Sequence, residues 1–350
     1  MRVWHLSSNR WNSAITEYAI SAARALAGRG HETLFTPLED SPAERRALAL
    51  GLTTRSLPRF TGMQVGLARG IASDFEPDVL FTYGGPETFL ARFLGVRLVR
   101  VRGNDIDPDA VLEGPKQRFS HGHVAAVVTP SRVLAEKMSR VLPRVPVVPV
   151  TLGCDTEKFH RVEAGALPAP VAVIFGRFDP VKGHAQFLRV WRRVKELVPG
   201  ALLHIVGEPA NVSVAHLEHY ASEADLVLGR DVKITAARVG NVAALLSGAA
   251  LGVVPSIGSE IIGRVAEEFL LCGTPVLVSG VGSLDEVLFD ETAGASWRGL
   301  DEGATAGLVS RWLQRSAQEG EDAKRARAAS AHERFSLAAM GEALSRVVRP

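Results

Sequence analysis

Arg177 and Lys182 stand five residues apart in the stretch GRFDPVKG (176–183), directly after the apolar run Val171–Phe175. At a strand's carboxyl end, a planar guanidinium and a compact ammonium can clamp a diphosphate and neutralise the charge that grows on a departing phosphate. Taken alone, an Arg-x4-Lys pair reads better as two solvated loop cations. The stretch SIGSEIIGRVAEEFLLCGTP (256–275) shifts that balance. It places Glu260 on a loop, Gly263 at a turn and Glu268 on the apolar-periodic segment that follows. A helix that begins near Gly263 points its free N–H groups and positive dipole end at the loop mouth, where a phosphate is welcome. Glycine there lets the backbone approach a ligand closely. Glu268 can accept hydrogen bonds from a vicinal diol such as a ribose, and Glu260 from a sugar. The plainer reading of the same residues is a capped helix with surface acids, and Glu267 beside Glu268 reads as such an acid.

These residues need elements to hold them. Short apolar runs alternate with amphipathic stretches: Val3–Leu6, Glu32–Thr36, Val79–Thr82, Val96–Val101, Val124–Val128 and Val145–Val150 read as strands, with Ser13–Gly28 the clearest helix. Ser131 reads as the N-cap of another helix. The stretch HRVEAGALPAP (160–170) has no periodicity and reads as a linker. Beyond it a second series begins, with strands at Val171–Phe175, Leu202–Val206, Val232–Ile234, Leu251–Val254 and Pro275–Val278. Strands this short, spaced by helices, require parallel sheets covered on both faces. The expectation is an α/β protein of two doubly wound, Rossmann-like domains facing a central cleft. One spans residues 1–160, the other residues 165–333. Ligands of such sheets sit outside the carboxyl ends of the strands.

Composition sets the outer bounds. At about 150 residues per domain, 350 residues make two domains, and 46% hydrophobic against 22% charged residues is a folded composition. Forty basic against thirty-eight acidic side chains give no global reason to expect nucleic acid. Residues 1–150 carry 19 basic and 14 acidic side chains (+5), leaving 21 and 24 (−3) for the rest. Two distant cysteines form neither a disulfide framework nor a zinc motif. The absence of a signal-like or membrane-spanning apolar run points to the cytoplasm, at most peripheral to a membrane. The stretch 43–71, with Arg45, Arg46, Arg55, Arg59 and Arg69 among apolar residues, reads either as a basic amphipathic surface for a lipid-linked acceptor or, better, as an ordinary solvated helix–loop segment.

Four motifs in register, GCDTEKF (153–159), GRFDPVKG, Glu260 and Glu268 within E-x2-G-x4-E, and CGTP (272–275), resemble those of the family 4 retaining glycosyltransferases of the GT-B fold. VGSLDEV (281–287) resembles the family's usual continuation. RFSLAAMGEALSRVV (334–348) resembles its last helix, which crosses back onto the first domain. The resemblance implies that Arg177 and Lys182 hold the diphosphate of a nucleotide-sugar donor, that Glu260 contacts the sugar and that Glu268 binds the ribose. The backbone of Ile261, Ile262, Gly263, Arg264 and Val265 would line the phosphates, with Ala236–Arg238 near the base. The expected partners are a nucleotide-sugar donor and a glycan or lipid-linked acceptor, with no cofactor and no metal.

Two departures stand out. The family's glycine-rich loop after the first strand is replaced by SSNRWNS (7–13), in which Arg10 could meet an anionic acceptor and Ser13 caps the helix. Arg102 stands where many relatives carry histidine. An arginine cannot serve as a general base, so in a cleft it would stabilise negative charge, with Asp105 as its partner or as a ligand for acceptor hydroxyls. A surface Arg–Asp pair is an equal reading. Asp105-Ile106-Asp107 mimics a metal-binding D-x-D, but the flanking Pro108 and Asp109 make it a turn. The leading expectation is a glycosyltransferase of surface-polysaccharide or lipopolysaccharide synthesis. The alternatives are an epimerase-like enzyme and a non-catalytic nucleotide-sugar binder.

Overall fold

A computed structural model describes residues 1–11, 13–103, 122–163, 170–258 and 260–349. The chain divides into two compact units, Met1–Gly153 with Arg334–Pro350 and Cys154–Glu333.

The first unit is built on a parallel sheet of β1 (Arg2–Ser7), β2 (Glu32–Pro37), β3 (Val79–Thr82), β4 (Arg97–Val101), β5 (Ala126–Thr129) and β6 (Val147–Pro149), in the order β2-β1-β3-β4-β5-β6. All four residues of β3 are buried, as a parallel strand covered on both faces requires. Helices α1 (Ala14–Ala27), α2 (Pro42–Ala49), α3 (Val65–Phe75), α4 (Gly85–Ala91) and α5 (Arg132–Val141) flank it. Ser13 caps α1, its Oγ accepting from the N–H of Thr16, and Ser131 caps α5 through Leu134. The stretch read as basic and amphipathic is two separate helices, α2 and α3, and α3 buries only Ala68.

The second unit repeats the plan. Strands β7 (Val171–Phe175), β8 (Leu202–Val206), β9 (Val232–Thr235), β10 (Leu251–Val254), β11 (Val276–Val278) and β12 (Gly294–Ser296) pair in parallel as β12-β11-β10-β7-β8-β9. Around them lie α6 (His184–Leu197), α7 (Val214–Glu223), α8 (Val242–Gly248), α9 (Arg264–Leu271), α10 (Glu302–Ala317) and α11 (Glu321–Phe335). Phe187, Trp191, Leu203, Ile205, Val253 and Leu313 form the centre of its core, and removing a ring such as that of Phe187 should cost about 3–5 kcal/mol. Helix α12 (Leu337–Val348) packs on the first unit. A Cβ on Gly341 would lie 2.4 Å from the Ala25 carbonyl oxygen of α1, and Arg97 Nη1 donates to the Val348 carbonyl at 2.9 Å.

Both sheets reverse strand order at one place, between β1 and β3 in the first unit and between β7 and β10 in the second. The loops leaving such neighbouring strands diverge to opposite faces and leave a crevice at their carboxyl ends. Among the described residues no helix is long and apolar enough to cross a membrane.

Candidate functional site

In the second unit that crevice is framed by residues 176–183 after β7 and, after β10, residues 255–258 and 260–263. The two loops are laced together. The N–H of Ile257 donates to the Val181 carbonyl at 2.9 Å. Gly183, at φ +71°, passes so close to Pro255 that a Cβ would lie 1.9 Å from its carbonyl oxygen, so only glycine fits on both counts. Asp179 starts the short 3-10 turn Pro180–Lys182, accepting from the Val181 N–H at 3.1 Å and from Asn211 Nδ2 at 2.7 Å. Burial works to raise its pKa, but these hydrogen bonds and the nearby Arg177 and Lys182 charges hold it below the usual carboxylate range.

Across this junction the Lys182 ammonium pairs with Glu260 Oε1, and Ser256 Oγ donates to the same oxygen at 2.7 Å. The Glu260 backbone is fixed as well. The N–H of Ser283 donates to its carbonyl at 2.8 Å, and Ser283 Oγ reaches the carbonyls of Glu260 and Ile261 at 3.0 and 2.9 Å. Ser279 Oγ in turn holds the Ser256 carbonyl at 2.6 Å. Three loops, after β7, β10 and β11, thus converge on one carboxylate paired with one ammonium. Charge-assisted hydrogen bonds of this kind fix geometry more firmly than neutral ones.

The structure brings together Lys182 and Glu260 of the residues singled out in the sequence. Arg177 is exposed on the same loop. Ile261 and Ile262 are buried, and Gly263 precedes α9 as its N-cap with no side-chain cap, leaving N–H groups at the start of that helix. Glu268 is 1% exposed, and its Oε1 accepts from Arg264 Nε at 2.8 Å one helical turn away, so it is a buried, paired acid. Arg238 is 88% exposed and pairs with Glu208 at 3.0 Å at the far end of the sheet, after β8 and β9. In the first unit Arg102 follows β4 with its N–H on the Val128 carbonyl at 2.8 Å. Asp105 lies outside the described residues, as does the whole Asp105-Ile106-Asp107 triplet.

Glu267 corrects the sequence reading. It is 2% exposed rather than a surface acid, Cys154 Sγ donates to its Oε2 at 3.4 Å, and burial pushes its pKa up to about 8. Helix α9 buries every residue from Ala266 to Leu271, so neither of the adjacent glutamates finds solvent. Ser256 and Ser283 are the site residues that sequence reasoning missed. Ser256 opens the stretch SIGSEIIG and Ser283 stands within VGSLDEV, but a serine carries no spacing signal that separates a carboxylate's hydrogen-bond donor from a loop residue.

The family described as Glycosyl transferases group 1 matches residues 169–315, from just before β7 into α10, and so covers Arg177, Lys182, Glu260 and Glu268. The D-inositol 3-phosphate glycosyltransferase of Segniliparus rotundus is 33% identical over 142 residues, 39% of this chain and 31% of that protein. Its namesake in Mycolicibacterium smegmatis is 32% identical over 165 residues, 46% of this chain and 36% of that protein. The chain thus spans about a third of the length of these curated relatives. The crystal structure of Anabaena HepE in complex with UDP is similar with a TM-score of 0.80 at 15% identity over 99% of both chains. A glycosyltransferase from Rickettsia africae gives 0.80 at 13% identity over 99% of this chain and 97% of that one. These likenesses show the fold, the GT-B class expected from the motifs. Residues 169–315, which carry the Lys182–Glu260 cluster and most of the second unit, are similar to the glycosyl transferases group 1.

Proposed function

We propose that the protein is a retaining glycosyltransferase that moves a sugar from a nucleotide diphosphate to a glycan or lipid-linked acceptor in cell-surface polysaccharide or lipopolysaccharide synthesis. The observation that carries this reading is the Lys182–Ser256–Glu260 cluster at the second sheet's reversal point, inside the family-matched segment. In it, Lys182 and Arg177 neutralise the diphosphate, and the N–H groups from Ile261 to Val265 line its oxygens. Glu260 accepts hydrogen bonds from the sugar and the backbone near Arg238 meets the base, while Glu268, buried and paired with Arg264, binds the ribose only by opening that pairing.

The anomeric C–O bond to the diphosphate breaks as the acceptor oxygen attacks the same face. A phosphate oxygen of the leaving group takes the acceptor's proton, giving a nucleoside diphosphate and a glycosylated acceptor. Position and charge carry this chemistry, and it calls for neither a cofactor nor a metal. Arg102 stabilises negative charge in place of a histidine base, and Asp105 joins it on sequence grounds alone.

The test is incubation with labelled UDP, GDP and ADP sugars. UDP comes first because it is the nucleotide bound to HepE. Slow sugar release or transfer with retained anomeric configuration supports the reading, and Lys182→Ala should lower that rate about 10²–10³-fold, as loss of one charge-stabilising donor does. Epimerised sugar, or saturable binding without turnover, would replace it with the epimerase-like or non-catalytic reading.

The same reading puts the enzyme in the cytoplasm at the membrane's inner face. Met63, in the 3-10 turn before α3, and Leu67, in the first turn of α3, are exposed, with Arg59 and Arg69 exposed beside them in the chain. Apolar residues flanked by cations suit an anionic lipid surface. Sedimentation with phosphatidylglycerol vesicles at low salt should capture the protein, and Met63→Ser with Leu67→Ser should release it. No capture of the wild type would remove membrane contact from the proposal.

A further inference from the structure

Helix α9 opens on the crevice of the second unit, since residues 260–263 lead from the Lys182–Glu260 pair into its first turn. Its first residue is Arg264. A cation there faces the positive end of the helix dipole, the end where anions are favoured. Arg264 Nε nonetheless donates to Glu268 Oε1 at 2.8 Å. This i,i+4 pair runs from base to acid along the chain, the weaker of the two orders on a helix. Gly263 before it offers no side-chain cap, and a Cβ there would lie 2.7 Å from Val287 Cγ1, so no larger residue fits to cap the helix.

The two members of the pair differ in access. The Glu268 side chain is 2% exposed and that of Arg264 is 38% exposed. Burial pushes the neighbouring Glu267 up to a pKa of about 8, so it is mostly protonated at neutral pH, and the acid that Arg264 balances is Glu268. An ionised carboxylate this deep cannot lose its cation without replacement, because an uncompensated buried charge is strongly destabilising. A vicinal diol supplies the replacement, each hydroxyl donating to the carboxylate. The displaced guanidinium needs an anion in turn, and a diphosphate at the start of α9 is one that also suits the dipole. Long side chains on a helix favour the direction of its N-terminus, which for Arg264 is the Gly263 end, facing the crevice.

We propose that Arg264 changes partners when a nucleoside diphosphate binds: its guanidinium moves from Glu268 to the diphosphate, and the two ribose hydroxyls take its place on the Glu268 carboxylate. The exchange rests on the nucleotide-sugar reading above, and it couples ribose recognition to phosphate recognition through one side chain. A nucleoside without phosphate must break the pair and leave the guanidinium with no anion to go to. A nucleoside diphosphate or an intact donor is spared that loss.

Calorimetry on the full chain with UDP and with uridine tests this, uridine being read at millimolar concentration by its displacement of UDP where the direct heat is small. Where GDP or ADP binds instead of UDP, its own nucleoside replaces uridine. Arg264→Met should weaken UDP binding by about tenfold or more, as loss of a charge-assisted hydrogen bond does, and should tighten uridine binding by about threefold or more, because no pair then bars Glu268. Lys182→Ala should weaken UDP binding with no gain for uridine, since Lys182 is paired with Glu260 and not with Glu268. Arg264→Lys keeps the charge and should give a UDP affinity between those of the wild type and Arg264→Met. If circular dichroism shows Arg264→Met unfolded, Arg264→Gln, which keeps a donor for Glu268, carries the test and should lose UDP affinity while uridine affinity is kept. Equal losses for UDP and uridine would make Arg264 a fixed support of Glu268. Unchanged UDP affinity would leave it outside the site, and a folded Arg264→Met that loses UDP without gaining uridine would show a phosphate contact with no exchange. Each of these overturns the proposal while the nucleotide reading stands. No binding of UDP, GDP or ADP by the wild type would remove both together.

Discussion

Glu260 receives hydrogen bonds from two unlike donors, the Lys182 ammonium and the Ser256 hydroxyl, on a single oxygen. Lys182 brings charge, while Ser256, 1% exposed, brings direction, because its own backbone is held by Ser279. Ser256→Ala should therefore leave the ion pair and the fold intact but loosen the carboxylate. A hydrogen bond to a charged group contributes about 1.5–3 kcal/mol. If Glu260 contacts the donor sugar, the variant should raise KM for the nucleotide sugar about tenfold while leaving affinity for free UDP unchanged. Steady-state kinetics beside UDP calorimetry check this, and equal KM values would remove Ser256 from the site. Lys182 and Glu260 were legible only through GRFDPVKG and the E-x2-G-x4-E segment standing in register with further family-like motifs, since the Arg-x4-Lys spacing alone reads as solvated loop cations. The serines were not, since loop serines have many structural uses. Glu267 was misread because two adjacent glutamates on a helix lie about 100° apart, so one is normally wet, whereas α9 buries every residue from Ala266 to Leu271.

The elements that matter here are the loops at each sheet's reversal point, and their closeness depends on backbone rather than on side chains. Gly183 is the clearest case. Alanine there meets both a positive φ and a carbonyl oxygen at 1.9 Å, so the β7 loop must withdraw from the β10 loop. Gly183→Ala should lower the thermal midpoint of the protein and weaken UDP binding together. Gly200→Ala, where a Cβ meets nothing within 4 Å and φ is not positive, should do neither. A wild-type midpoint and UDP affinity in Gly183→Ala would show that the loop junction is slack. The strands themselves were easy to read from sequence. β7, β8 and β10 coincide with apolar runs because parallel strands covered on both faces have no polar side to interrupt them. β11 begins at Val276 rather than Pro275, since proline has no N–H to give to the ladder. β6 is only Val147–Pro149, half of its apolar run, as suits a strand on the sheet's edge. β12, Gly-Ala-Ser, has no apolar pattern at all, and its place in the sheet comes from pairing with β11.

At the scale of the whole molecule, buried ionisable groups in both units set a pH profile whose two limbs have different owners. Burial lowers the pKa of His5 in the first unit to about 3 and of His184 and His204 in the second to about 4, against 6.5 for free histidine. The unfolded chain therefore takes up protons first as pH falls below 6.5, and each histidine withdraws stability down to its folded value. Glu267 acts in the opposite sense. Its folded pKa of about 8 exceeds the unfolded 4.5, so between those values the unfolded chain loses a proton that the folded chain keeps, and stability declines as pH rises. Above 6.5 the histidine contributions are complete and Glu267 alone of these four still slopes, by up to about 1.4 kcal/mol per pH unit until 8. Glu267→Gln keeps the size and the acceptor for Cys154 without the charge. It should flatten the thermal-midpoint profile between pH 6.5 and 8, leave the acid limb in place, and make the variant the more stable protein at pH 8. His5→Phe should soften the acid limb and leave the alkaline limb untouched. Differential scanning calorimetry across pH 4 to 9 checks both, and an alkaline limb that survives in Glu267→Gln would show that the buried carboxyl is not what governs it.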